Sequence, residues 1–356
     1  MEVNDNTMDV MLLLLKASLQ GTEPCLEADA DWQGLFALAR QHGVVTLLYD
    51  AILRLPPERQ PQGDMALSWA LSAERTRHHF AHQAEVLHSL AQRSREAGLP
   101  MLMVKGMELA RLYPVPDSRA CGDIDVYFFD RYEEGNALLG AAGASLDGKH
   151  SEVAVDGVMV ENHLTLLDQN CRSQRRAEQY ICGALPQATQ DADGVYHLAP
   201  MGGMVYLLMH TVGHLTAKYK MPLRNVLDWG LYLDAHRAEL SPLECRRVTR
   251  RLGMTDAFTM LTSLAAEFTG RDLDEYLVGR LRADDRRRMR RLILEKAYLP
   301  HVPENLTFLG QLRLRLRRYR ERHWLYRYLP QSRWERIQNT FRQQWRKVVK
   351  REGRHI

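Results

Sequence analysis

The stretch at residues 101–129, MLMVKGMELARLYPVPDSRACGDIDVYFF, decides the fold. Its first four residues are apolar, which predicts a short buried strand that ends at Lys105-Gly106. Residues 107–112 are compatible with a helix, and two prolines then break the chain into a loop. A second apolar run at 123–129 predicts another strand. We therefore expect a strand, a glycine turn, a short helix and a second strand in this order.

Two carboxylates lie in the second predicted strand. Asp123 and Asp125 are two residues apart, so both point to one side of the strand while Ile124 and Val126 point into the core. Paired carboxylates beside a strand–glycine–helix turn can hold divalent cations against a polyphosphate. A single Asp-x-Asp is also common as the polar edge of a strand, so only its combination with the glycine turn indicates a site for a divalent cation and a polyphosphate.

This combination resembles the nucleotidyltransferase superfamily that includes DNA polymerase β. That superfamily pairs a glycine turn with a downstream strand that carries two acidic residues, and it has a third carboxylate on a later strand. The sequence looks more closely like a bacterial nucleotidyltransferase-like subfamily with K-G-x-x-L-x-x-x-Y-P followed by R-x-x-x-D-I-D. The matching residues are Lys105, Gly106, Leu109, Tyr113, Pro114, Arg119, Asp123, Ile124 and Asp125.

The resemblance implies a role for several of these residues. Asp123 and Asp125 would coordinate two Mg²⁺ or Mn²⁺ ions that bridge the triphosphate of an NTP such as ATP. Lys105, the Gly106 turn and Arg119 would bind the β- and γ-phosphates of that nucleotide.

A β-hairpin is predicted downstream of the two aspartates. Residues 149–156 alternate polar with apolar, an Asp-Gly turn signal follows, and residues 158–166 return as a second strand. Glu161 and His163 share one face of that strand because they are two residues apart. By resemblance, Glu161 matches the third carboxylate, which completes a metal site or acts as a base, and His163 matches a histidine that binds the nucleotide. An exposed hairpin with its polar residues outward is the open alternative.

A buried helix predicted at 201–217 carries two histidines one turn apart, His210 and His214. The resembling subfamily has a similar His-x-x-x-His helix followed by an aspartate, here Asp228, and this implies that the three residues line the nucleotide pocket. Two other interpretations stay open, hydrogen-bonded core histidines and a zinc site. The zinc interpretation lacks the glutamate of the zincin motif.

Composition limits the class of protein. The 356 residues are 45% hydrophobic, which is ordinary for a globular protein and excludes wholesale disorder. The five cysteines are odd in number and form no Cys-x-x-Cys pair, so we expect a reduced, cytoplasmic protein. The apolar cluster at 10–15 is too short to span a bilayer and follows acidic residues, so we expect neither a signal peptide nor a membrane span.

Charge is distributed unevenly along the chain. Residues 281–356 hold 22 Lys and Arg against 7 Asp and Glu, while the preceding residues hold 26 against 37. Basic amphipathic helices are predicted at 306–319 and 330–350, and the second of these has an aromatic stripe. Such helices can dock on the acidic body, bind RNA or lie on an anionic membrane surface as a peripheral contact.

The sequence as a whole predicts an α+β fold, in which a small mixed β-sheet is flanked by a helical N-terminal segment and a helical C-terminal half. We expect a helical region at 1–99, a nucleotidyltransferase core at 100–199, a helical domain at 200–300 that completes the active-site cleft, and basic amphipathic helices at 301–356. The 64–97 segment is expected to form one long helix or two nearly continuous ones.

The functional expectation is a metal-dependent nucleotidyltransferase that moves NMP from an NTP to a hydroxyl of a small molecule, peptide or protein and releases pyrophosphate. Two alternatives stay open. The basic C-terminal segment is compatible with an RNA-acting, tRNA-directed transferase. Met107 stands where the superfamily usually has a phosphate-binding serine, so an inactive nucleotide-binding or scaffold protein also fits.

Overall fold

The computed structural model describes residues 5–27, 29–141, 143, 146, 148–218, 221–294, 320, 322–330 and 334–335. Four helices precede the first strand: α1 (Asp5–Gln20), α2 (Trp32–His42), α3 (Val45–Ile52) and α4 (Gly63–Glu96). Helix α4 is continuous over 34 residues, so the long proline-free segment forms one helix rather than two. These four helices confirm the expected helical N-terminal segment.

The central segments supply the strands and three short or medium helices. The strands are β1 (Met101–Met103), β2 (Ile124–Tyr127), β3 (His150–Val155), β4 (Val158–His163), β5 (Thr189–Gln190) and β6 (Val195–His197). The helices between them are α5 (Met107–Ala110), α6 (Tyr132–Leu138) and α7 (Arg172–Ala184). Helix α7 and strands β5 and β6 were not predicted, because this part of the sequence is polar and lacks a clear apolar period.

Helices make up most of the described C-terminal half. They are α8 (Pro200–Lys218), α9 (Leu223–Ala235), α10 (Pro242–Leu252), α11 (Thr255–Thr269) and α12 (Ala283–Leu294). From the sequence we also expect a helix at 272–281, and this expectation is wrong, since a 3₁₀ turn forms there instead, at Asp274–Tyr276. Arg246 donates to the carbonyls of Glu275 and Leu277, and Gly279 has a φ of 88°, so the backbone leaves the helical path.

The strands form one mixed sheet in the order β3-β4-β2-β1-β6-β5. Strand β2 is central: it runs antiparallel to β1 and parallel to β4, while β3 and β4 form the predicted antiparallel hairpin. Together with the surrounding helices this sheet confirms the α+β class.

The two faces of the sheet bury different helices. On one face, Met103, Val126 and Val160 pack with residues of α4 in a smaller core. On the other face, Leu102 and Tyr127 belong to a large core shared with α8, α9, α11 and the N-terminal helices. Asp125 alternates with Ile124 and Val126 along β2, so its carboxylate lies on the side of α8.

The basic helices predicted at 306–319 and 330–350 lie outside the described residues, apart from Pro330, Trp334 and Glu335. The described segment between them, a 3₁₀ helix at His323–Tyr328, buries Leu325 and Tyr328 in the large core. No helix in the described ranges has the length and apolar character needed to cross a membrane. All five cysteines are free thiols.

Candidate active site

The two aspartates of β2 meet Lys105 at the end of the neighbouring strand. Strand β1 pairs Met103 with Val126, and the Val104 N–H donates to the Asp125 carbonyl, so the next residue, Lys105, comes close to Asp125. The Lys105 ammonium lies 2.8 Å from Asp125 Oδ1 and 3.7 Å from Asp123 Oδ2. Asp125 is fully buried, whereas Asp123 precedes the strand and its side chain is 34% exposed. The predicted carboxylate pair therefore has one buried and one accessible member.

Strand β4 adds an acid and a histidine to this pair. Asp125 and Glu161 are register partners in the parallel β2–β4 ladder, so their side chains lie on the same face. His163 Nε2 donates to Asp125 Oδ1 at 2.9 Å and lies 3.4 Å from Glu161 Oε2. The structure thus brings Asp123, Asp125, Glu161 and His163 together, as the sequence predicted.

Electrostatics keeps the buried carboxylate charged. Burial alone would raise the pKa of Asp125, but the Lys105 ammonium and the hydrogen bond from His163 outweigh it and hold this pKa far below its usual value. Burial opposes the charged form of Lys105, and the two aspartates nevertheless raise its pKa. Burial raises the pKa of Glu161.

The three carboxylates fit a divalent cation. One oxygen from each of Asp123, Asp125 and Glu161 lies within 4.8 Å of the others. Asp125 Oδ2 is buried and accepts no hydrogen bond from any described residue, so its lone pairs are free to bind a cation. Carboxylate oxygens are the ligands that Mg²⁺ and Mn²⁺ prefer. The ammonium of Lys105 already places a positive charge between two of these carboxylates.

Gly106 makes the turn that follows β1. Its φ of 64° and ψ of −114° are not accessible to other residues without strain, and an added Cβ would lie 3.2 Å from the backbone oxygen of Asp123. Met107, which occupies the usual serine position, is buried in the smaller core, which also contains Leu87 of α4. The Met107 side chain therefore packs in the core.

Arg119 and Asp228 form a buried ion pair beneath the glycine turn. Arg119 donates through Nε and Nη2 to the two oxygens of Asp228, both at 2.7 Å, and through Nη1 to the Gly106 carbonyl at 2.9 Å. Tyr113 OH also donates to Asp228, at 2.8 Å. Each charged side chain is only 5% exposed. The ion pair fastens the glycine turn to α9, and direct nucleotide contact by either residue stays a prediction.

His210 and His214 lie on α8, opposite the sheet. Their Nε2 atoms are 3.2 Å apart, and the His210 ring stacks on Tyr206. Burial and the nearby Lys105 hold the pKa of His210 well below its usual value. In the described part of the chain, these two histidines belong to no group of three or more potential metal ligands. The structure therefore gives no support to the zinc interpretation.

Two cavities open on either side of Lys105 and Asp123. The first, of about 170 Å³, is lined by Gly106 and by the Arg119–Asp228 pair. The second, of about 400 Å³, is lined by residues of the hairpin, including Glu161. Lys105, Asp123, His210 and His214 line both cavities. All the predicted site residues except the buried Asp125 and His163 thus face one of these two spaces.

Three basic residues that line these two cavities were not predicted as site residues from the sequence: Lys149, His150 and Arg224. Lys149 Nζ donates to the carbonyl of Leu166 at 3.3 Å, and burial lowers its pKa. His150 lies opposite His163 in the hairpin, and Arg224 donates to the Ala120 carbonyl from the first turn of α9. The hairpin register could have revealed His150, because a two-residue turn fixes which residues face each other.

Comparison with known proteins gives one family. The model of a family described as an uncharacterised nucleotidyltransferase matches residues 28–270, a range that contains every site residue described above. Neither the curated proteins nor the solved structures gave a match.

Proposed function

The chain belongs to this uncharacterised nucleotidyltransferase family, and from that premise we propose a metal-dependent transfer of NMP from an NTP to an acceptor hydroxyl. In this reaction the acceptor oxygen forms a bond to the α-phosphorus, the bond from that phosphorus to the bridging oxygen breaks, and pyrophosphate leaves. The observation that carries the proposal is the convergence of Asp123, Asp125 and Glu161 with Lys105 at the wall of two cavities.

Asp123, Asp125 and Glu161 would hold the divalent cations. Mg²⁺ or Mn²⁺ bound there supplies charge neutralisation for the triphosphate and the leaving pyrophosphate. His163 positions the Asp125 carboxylate through the hydrogen bond to Oδ1, and the β2–β4 register fixes the distance between Asp125 and Glu161. Little covalent chemistry is required of the protein, because positioning and charge supply most of the catalysis in phosphoryl and nucleotidyl transfer.

Lys105 and Gly106 would bind the phosphates. Lys105 lines both cavities, and Gly106 lets the backbone approach without a side chain in the way. Pockets for drug-sized ligands measure about 300–1,000 Å³, so the 170 Å³ cavity is too small for a whole NTP. We place the phosphates against Lys105 and Gly106, with the nucleoside in the 400 Å³ cavity.

The helical region at 200–300 would complete the cleft. It supplies His210 and His214, which line both cavities, and Asp228, which lines the smaller one. We assign His210 and His214 to the wall of the nucleotide site. Arg119 and Asp228 act mainly by holding the Gly106 turn in place, because Nε, Nη1 and Nη2 of Arg119 all donate hydrogen bonds within the protein.

Incubation with labelled NTPs and Mg²⁺ tests the proposal, with tRNA, cell extract or no addition as the acceptor. Labelled acceptor and released pyrophosphate are expected from the wild-type chain. Asp123→Asn or Asp125→Asn should lower the rate by at least about a thousand-fold, because a lost metal ligand costs about 4 kcal/mol of transition-state stabilisation.

Asp156→Asn is the matched control, since Asp156 is an exposed turn residue with a φ of 48°, which Asn adopts as readily as Asp. Transfer at the wild-type rate by the Asp123→Asn/Asp125→Asn chain would disprove the site. Label in tRNA alone would establish the RNA-acting alternative, and the absence of transfer to every acceptor would favour the scaffold protein.

A further inference from the structure

The hairpin carries a second group of metal-ligating side chains. In the β3–β4 register His150 lies opposite His163 and Glu152 lies opposite Glu161. Since the members of each strand are two residues apart, all four side chains lie on one face of the sheet. His-x-Glu on β3 therefore lies antiparallel to Glu-x-His on β4, with the two imidazoles side by side and the two carboxylates side by side.

Three of these side chains converge on one point. Glu161 Oε2 lies 3.5 Å from His150 Nδ1 and 3.4 Å from His163 Nε2, and one ligand atom of each residue lies within 4.8 Å of the others. Both distances are longer than a good N–H···O hydrogen bond. In a tetrahedral site with metal–ligand bonds of about 2.0–2.1 Å, two ligand atoms lie about 3.3 Å apart, and both measured distances are close to this value.

The imidazole nitrogens are available to an ion. His150 Nδ1 is buried and has no hydrogen-bond partner among the described residues. His163 Nε2 donates to Asp125, and a metal ion would take the place of that proton, which leaves Lys105 as the partner that holds Asp125 Oδ1 in the ion-bound state. His163 Nδ1 lies 3.4 Å from the carbonyl oxygen of Thr165, where it can carry the proton instead. Such outer contacts orient a ligating imidazole.

We propose that His150, Glu161 and His163 form a second metal centre that binds a transition-metal ion such as Zn²⁺ or Co²⁺. Two imidazoles favour such ions over Mg²⁺, which prefers oxygen ligands throughout. Glu161 belongs both to this centre and to the carboxylate group of Asp123 and Asp125, so its two oxygens can serve two neighbouring ions.

The second centre opens into the 400 Å³ cavity. His150 and Glu161 line this cavity, as does Lys149. A site with three protein ligands and an open side leaves a coordination position for water or for an oxygen of a bound ligand, as catalytic zinc sites do. The centre shares Glu161 with the carboxylate group, but ion binding there does not depend on nucleotidyl transfer.

Co²⁺ titration of the full chain tests the proposal after removal of metals with a chelator. Tetrahedral Co²⁺ bound by imidazole absorbs far more strongly in the visible range than Co²⁺ bound octahedrally by oxygens. We expect one such ion per chain, displaced by Zn²⁺ and not by Mg²⁺. His150→Gln should weaken Co²⁺ binding by more than about a hundred-fold, because even an outer-sphere partner is worth about 10–100-fold.

Two control variants separate this site from others. His236→Gln changes a histidine that pairs with Glu239 on the surface, and it should leave Co²⁺ binding unchanged. Asp123→Asn should abolish nucleotidyl transfer and keep the Co²⁺ spectrum, so the two proposals fail independently.

A wild-type spectrum without tetrahedral bands, or unchanged Co²⁺ affinity in the His150→Gln chain, would overturn the inference. If that variant does not fold, electron spin echo spectra of Cu²⁺ bound to the wild-type chain decide the matter. Nitrogen couplings from two imidazoles support the centre, and their absence refutes it.

Discussion

Removing the Asp228 carboxylate should destabilise the protein strongly. Asp228 accepts two hydrogen bonds from Arg119 and one from Tyr113, and both members of the ion pair are 5% exposed. Asp228→Ala would leave the Arg119 guanidinium buried without a counter-charge, which costs about 3–5 kcal/mol. Since domains are stable by about 5–15 kcal/mol, this is a large share of the total.

Urea unfolding followed by tryptophan fluorescence measures the loss, with circular dichroism as a second probe of two-state behaviour. The matched control is Asp256→Ala, which removes the same kind of two-pronged arginine contact, from Arg327 at 2.9 and 3.2 Å, on the surface. That contact is about half exposed, so its loss should cost less than about 1 kcal/mol.

A second comparison separates the charge from the packing. The double variant Arg119→Met/Asp228→Leu removes both charges together, and we expect it to recover much of the stability that Asp228→Ala loses. If Asp228→Ala costs less than about 1 kcal/mol and raises only the KM for NTP, the reasoning is refuted and Asp228 is a nucleotide contact.

Three further predictions follow from the glycine turn and the C-terminal segment. Lys105→Ala should raise the KM for NTP, and unchanged KM with a large loss of thermal stability would make Lys105 a structural residue only. Gly106→Ala should lower the free energy of unfolding by about 1–3 kcal/mol, since its backbone angles suit only glycine, whereas Gly183→Ala in the exposed part of α7 should be neutral or slightly stabilising. A chain ending at Leu329 should aggregate in a sedimentation assay if the C-terminal helix docks on the body, whereas a stable chain that no longer shows salt-sensitive retention on RNA or anionic vesicles would make that helix a binding segment.

The local parts of the site could be predicted from the sequence. The two-residue spacing of Asp123 and Asp125, and of Glu161 and His163, decides which side chains share a face, and the structure shows these pairs together. Side chains alternate between the two faces of a strand, so the spacing of residues within one strand is enough to predict which of them share a face.

Long-range pairing could not be predicted in this way. Arg119 and Asp228 are 109 residues apart, and neither spacing nor composition indicates that they bind each other. The resemblance assigned both to the nucleotide, which stays a prediction, and the structure adds that their ion pair connects the glycine turn to α9. His150 differs from this pair. Its position opposite His163 follows from the two-residue hairpin turn, so it could have been predicted by counting residues from that turn.

The Lys105 ammonium has a consequence for the newly made chain. A carboxylate as deeply buried as Asp125 would oppose folding if it had no positive partner, and many metal-binding proteins depend on their ion for that reason. Here the chain brings its own cation from the adjacent strand, 2.8 Å away. A newly made chain can therefore complete its sheet around this buried carboxylate without a bound ion.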